Sequence, residues 1–127
     1  MRINELVKAA HENAVSKGWW EEDRSFGETI ALIHSEASEA LEDHRNKKDF
    51  SEVWYEYETP EGFIEETTDR ELGDELGKPC GIPSELADIV IRVFDACGQY
   101  GIDLETAITE KMAYNATRPQ RHGGKKL

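Results

Sequence analysis

The chain has 127 residues, 38% of them apolar, with 27 acids against 15 lysines and arginines and a formal net charge of -12. That is the length of one domain built on one core, and its charge argues against duplex DNA or an anionic membrane surface as the main partner. No apolar run approaches the roughly 18 residues of a membrane span, and the N-terminal stretch is amphipathic where a signal peptide is continuously apolar, so a soluble, cytoplasmic protein is expected.

Ile3, Leu6, Val7, Ala10 and Ala14 recur at helical spacing up to Lys17-Gly18, a common helix stop, so a first helix is expected over 3–17. Ser25 with Glu28 three residues later opens a second, whose stripe is Ile30, Ile33, Ala37, Ala40 and Leu41 and which reaches about residue 46. From 47 to 82 the pattern changes to 11 acids against 4 bases, five aromatic residues, and glycines and prolines that break any helix. This stretch reads as an irregular insertion, with a small hairpin over Val53–Glu58 and a return through Phe63 and Ile64 as one option. Pro83 suits the first turn of a third helix running to Gly101, and Asp103 caps a fourth over 104–117 that Pro119 stops. A basic tail, 118–127, follows. The expectation is a single all-α domain, a four-helix bundle with the insertion between its second and third helices. Cys80 and Cys97 are too few for a disulfide scaffold and too far apart for a metal knuckle, and read as reduced thiols.

Winding the third helix at about 100° per residue puts Glu85, Asp88, Arg92, Asp95 and Gln99 in a strip roughly 80° wide, with apolar residues over most of the rest. A narrow charged line on an otherwise apolar helix calls for paired charges or a metal; a solvated strip is the alternative. On the second helix Glu36 and Glu39 stand three apart, and Glu85 and Asp88 repeat that spacing on the third. Two such pairs on adjacent helices can converge on one cation, and oxygen-only ligands favour Mg²⁺ or Mn²⁺ over zinc. No histidine follows a glutamate at the spacing of a di-iron carboxylate bundle. On the fourth helix Lys111 and Asn115 lie within the stripe of Leu104, Ala107, Ile108 and Met112, with Arg118 one turn on, and are expected to point inward. Lys111 then either pairs with Asp95 or meets a phosphate. The tail offers Arg121 and Lys125 as further anion-binding groups, or is simply a frayed basic terminus. A third helix this apolar exposes more greasy surface than a lone bundle hides, so a homo-oligomer is expected.

Three segments, LIHSEASEALED, GIPSELADIVIRVFD and EKMAYNATRPQRHGGKK, resemble the MazG-like all-α nucleoside triphosphate pyrophosphohydrolases. The resemblance implies a Mg²⁺-dependent dimer or tetramer that hydrolyses nucleoside triphosphates to monophosphate and pyrophosphate, a nucleotide-pool house-cleaning activity. It implies Glu36, Glu39, Glu85 and Asp88 as metal ligands. This chain has Ser35 where many relatives carry a further Glu, and the 45 residues between Glu39 and Glu85 exceed the usual gap. Glu39 is then the candidate for polarising the water. Lys111, with Asn115, Arg118, Arg121 and Lys125, forms the phosphate-binding set, with Lys111 counted as catalytic. Trp19, Trp20 and Phe26 are the nearest aromatic supply for a nucleobase, and are equally a helix-packing corner. The non-enzymatic alternative is an acidic helical interaction or scaffold protein.

Overall fold

The computed structural model describes residues 2–46 and 48–119. They form two compact units, one made of the residues up to 22 together with those from 94 onward, the other of residues 23–93.

The first unit contains α1 (Ile3–Ser16), the last part of α3 (Ile82–Tyr100) and α4 (Leu104–Thr117). Its helix ends follow local signals. Gly18 takes a φ of 82°, where glycine is at no disadvantage, and the Gly18 and Trp19 amides return to the Val15 and Ala14 carbonyls at 3.1 Å each. Gly101 closes α3 in the same way, with φ 67° and an Ile102 amide bond to the Cys97 carbonyl. Asp103 caps α4, accepting the Thr106 amide at 3.1 Å and the Thr106 hydroxyl at 2.7 Å. Asn4 of α1 clasps this cap, donating to Asp103 at 2.9 Å and accepting the Glu105 amide. These donors hold the Asp103 carboxyl below its ordinary range. Val7, Ala14, Phe94, Ala96 and Cys97 are the buried apolar residues of this unit.

The second unit contains α2 (Phe26–Arg45), the first part of α3 and five strands: β1 (Trp54–Glu58), β2 (Ile64–Thr67), β3 (Glu71–Leu72), β4 (Glu75–Leu76) and β5 (Lys78–Cys80). The Ser25 side chain accepts the Glu28 amide and starts α2. The strands form an antiparallel sheet in the order β2-β1-β5 and a separate β3-β4 ribbon. Tyr57 sits opposite Glu65, and Trp54 opposite Cys80.

The all-α expectation is therefore corrected. The insertion is β-structure: over Tyr55–Glu58 tyrosine and glutamate alternate with the two-residue period of a strand. Thr59 and Gly62 (φ 89°) turn the chain back onto it. Tyr57 is buried, and its hydroxyl donates to the Asp69 carbonyl at 2.7 Å. No helix of the described residues is long and apolar enough to cross a membrane.

Candidate metal centre

Glu36 and Glu39 stand one turn apart on α2, and Glu85 lies in the first turn of α3. The start of α3 is set by Gly81, whose φ of 115° no side-chain-bearing residue adopts easily and whose added Cβ would run into the Glu52 carbonyl. From that start the Glu85 amide reaches back to the Gly81 carbonyl at 3.0 Å.

One carboxylate oxygen from each of Glu36, Glu39 and Glu85 lies within 4.8 Å of the others. Glu36 is buried, Glu85 half-buried and Glu39 exposed, so the group is open on one side. Burial is the main reason the Glu85 carboxyl is pushed up to about 7, with hydrogen bonding to Glu39 and the charges of Glu39, Asp88 and Asp43 adding to it. Glu85 Oε2 and Asp43 Oδ2 are both buried without a hydrogen-bond partner. Orphaned acceptors of this kind are costly unless a cation or ordered water serves them. The donors are all carboxylate oxygens, which suits a hard divalent cation such as Mg²⁺ or Mn²⁺.

Asp88 is not one of the three converging residues. Its carboxyl is raised first by burial and then by the charge of Glu36, while Arg92 and Lys78 oppose the rise. Arg92 donates from Nε to Glu36 Oε1 at 2.7 Å. The charged line on α3 thus serves two purposes within this unit, with Glu85 meeting the α2 acids and Arg92 neutralising one of them. Asp43 is the residue that the paired-glutamate spacing overlooks. It follows Glu39 by four positions, so the helical period places it on the same face.

The other expected site residues lie elsewhere. Lys111 and Asn115 are exposed, and no residue of α4 is buried, so the inward placement of these two side chains is corrected. Lys111 Nζ lies 5.7 Å from the Tyr114 ring centroid, and Arg118 flanks the same ring. Asp95, the alternative partner for Lys111, instead accepts from the Trp20 indole at 2.9 Å and pairs with His11 Nδ1 at 2.9 Å. Lys111→Ala is accordingly expected to change stability by less than about 0.5 kcal/mol, as for other exposed side chains; urea denaturation of the variant checks this. Arg121 and Lys125 lie outside the described residues.

Of the proposed base-binding aromatics, Trp20 is half-buried in the first unit, edge-on to both His11 and Tyr100. That is the packing-corner role. Trp19 and Phe26 are exposed, at 51% and 54%. The first unit also holds an open groove of about 400 Å³ lined by Val7, Lys8, His11, Cys97 and Ile102 among others. Burial raises the Cys97 thiol there, away from a reactive thiolate. No protein-family model, curated protein or solved structure matches the chain.

Proposed function

We propose that the chain is a Mg²⁺- or Mn²⁺-dependent pyrophosphohydrolase of nucleoside triphosphates, of the MazG-like kind. The observation that carries the metal part is the convergence of one carboxylate oxygen each from Glu36, Glu39 and Glu85, in a group where Glu85 Oε2 is buried without a hydrogen-bond partner. The substrate class rests on the three sequence segments that resemble that family. In the reaction a water oxygen attacks the α-phosphorus, the α–β anhydride bond breaks, and pyrophosphate leaves. A divalent cation, when bound, neutralises the phosphate oxygens and the charge that develops on them. Glu36, Glu39 and Glu85 would hold the cation, and Glu39, the exposed member, would also orient the attacking water and accept its proton. The test is pyrophosphate release from a panel of nucleoside triphosphates with and without Mg²⁺. Metal-dependent pyrophosphate is expected; release of inorganic phosphate alone, or no turnover of any nucleotide, would end the proposal.

The same chain is proposed to act as a homo-oligomer, a dimer or larger. On α2 the apolar residues Phe26, Ile30 and Leu41 are exposed while Thr29 and Glu36 are buried. On α3 Leu86 and Val90 are exposed, and among the described residues no large side chain is fully buried. Uncovered apolar faces of this kind mark interaction surfaces. Sedimentation at micromolar concentration should give at least a dimer, and a monomer would contradict the expectation.

A further inference from the structure

A phosphate chain calls for cations besides a metal, and the unit that holds the three glutamates carries one on its inserted sheet, given the nucleotide reading proposed for this centre, on which the inference rests. β5 runs directly into α3, so Lys78 stands three residues before Gly81, whose carbonyl accepts the Glu85 amide at 3.0 Å. Lys78 lies opposite Glu56, and Cys80 opposite Trp54. Residues two apart on a strand share a face, so these four side chains stand on one side of the sheet. That side carries the contacts with the start of α3. Cys80 is buried there, the charge of Glu85 reaches its thiol, and the Trp54 ring lies 3.3 Å from where a Gly81 Cβ would be. The opposite side is closed by the ribbon segment: the Tyr57 hydroxyl donates to the Asp69 carbonyl, and a Cβ at Gly77 would meet the Tyr57 ring. Lys78 is exposed, and among the described residues it forms no ion pair, even with Glu56 across the strands. Its charge opposes the rise of the Cys80 thiol and of the Asp88 carboxyl, one turn beyond Glu85 on α3.

We propose that Lys78 is a substrate-binding residue of this centre, whose ammonium meets the phosphate oxygens of the triphosphate chain. The inserted sheet thereby takes part in substrate recognition. Lysine suits the position, since its ammonium is a compact point charge with three rotatable donors on a flexible stem and needs no fixed fork geometry to meet a phosphate. Within the same unit Arg92 already donates to Glu36, and Lys48 Nζ lies 4.6 Å from the Trp54 ring centroid. Lys111 and Arg118, the cations that the sequence suggests for this task, belong to the other unit and flank the Tyr114 ring. A lysine that only balanced the charge of Asp88 or Glu56 would have no bearing on a phosphate ligand beyond its general charge, and the two roles separate on that point.

The experiment is calorimetric binding of Mg²⁺-loaded inorganic tripolyphosphate to the full chain, with Mn²⁺ binding alone followed by electron paramagnetic resonance and folding by circular dichroism. Lys78→Gln should bind tripolyphosphate about ten- to a hundredfold more weakly, as for the loss of a charged hydrogen bond, and Lys78→Arg should stay within about threefold of the wild type. Lys78→Thr, at home in a strand, takes the place of the glutamine variant if that does not fold. Arg70→Gln removes the same charge from the ribbon segment and should change the affinity by less than about twofold. Mn²⁺ binding without phosphate should be as tight or tighter in Lys78→Gln, because a cation near the carboxylates has been removed. Unchanged tripolyphosphate binding in Lys78→Gln, an equal loss in Arg70→Gln, weaker Mn²⁺ binding in Lys78→Gln, or a wild type that takes Mn²⁺ and no tripolyphosphate would overturn the proposal. Those results leave the metal reading standing as long as Glu85→Gln loses Mn²⁺. A wild type that binds no Mn²⁺ overturns both.

Discussion

Replacing Glu85 with glutamine is expected to abolish the rise in melting temperature that Mg²⁺ or Mn²⁺ brings to the wild type, and to lower pyrophosphate release by about a hundredfold or more. Without metal the same variant should be the more stable protein at neutral and alkaline pH. The sign follows from the carboxyl being raised in the folded chain, from 4.5 to about 7. Between those values the folded state holds a proton that the unfolded state has released. The Glu85 contribution to wild-type stability in metal-free buffer therefore falls as pH rises from about 4.5 to 7, and is constant above that window. With solvent screening allowed for, the loss is of order 1 kcal/mol. Glu85→Gln cannot ionise, so this slope should be missing from its thermal denaturation profile, and a saturating divalent cation should flatten the wild-type profile too. A variant that keeps both the slope and the metal response would remove Glu85 from the centre.

The second large effect belongs to Asp95. Its Oδ1 accepts the Trp20 indole N–H and pairs with His11 Nδ1, each at 2.9 Å, in a site where the His11 and Asp95 side chains are 23% and 15% exposed. Asp95→Ala strips the acceptor from both groups and is expected to destabilise the chain by about 3 kcal/mol, lowering the melting temperature by roughly 10 °C. Asp95→Asn keeps one acceptor oxygen and should lose less, about 1 to 2 kcal/mol. Guanidinium denaturation followed by tryptophan fluorescence measures both variants. Near-wild-type stability in Asp95→Ala would mean that the hydrogen bond to Trp20 contributes nothing to the fold. Divalent-cation binding should survive in either folded variant, because Asp95 is not among the carboxylates that converge on the centre.

The contrast between these two acids shows where sequence pattern stops carrying information. Both lie on one charged line of α3, and helical spacing treats them alike. Glu85 meets the acids of α2, whereas Asp95 serves the aromatic corner of the other unit. The same limit applies to α4. Lys111 sits in the apolar stripe of that helix when it is drawn in isolation, yet neither it nor any other α4 residue is buried. A weakly amphipathic helix has no side that its own sequence marks strongly enough to fix what faces a neighbour. On α2 the apolar stripe is plain in the sequence, but Ile30, Ala37 and Leu41 of that stripe are left exposed, while Thr29 and Glu36 are buried. Binary patterning identifies a surface that wants cover; it does not say whether the same chain or another copy supplies it.

What the sequence determines by itself is set by groups close together along the chain. The four helices and their ends follow from Ser25 and Asp103 as caps, and from Gly18 and Gly101 as stops, because caps and left-handed glycines act within a turn of backbone. The Glu36 and Glu39 pairing follows from one helical turn. The tertiary structure decides what depends on residues far apart in sequence. It folds the acidic insertion into strands by pairing Trp54–Glu58 with Ile64–Thr67 on one side and Lys78–Cys80 on the other. It brings Glu85 to the α2 glutamates, sets Asp88 apart and aims Arg92 at Glu36. Which carboxylates share a cation depends on distances of a few ångströms between separate helices, and periodicity along either helix alone does not encode that distance.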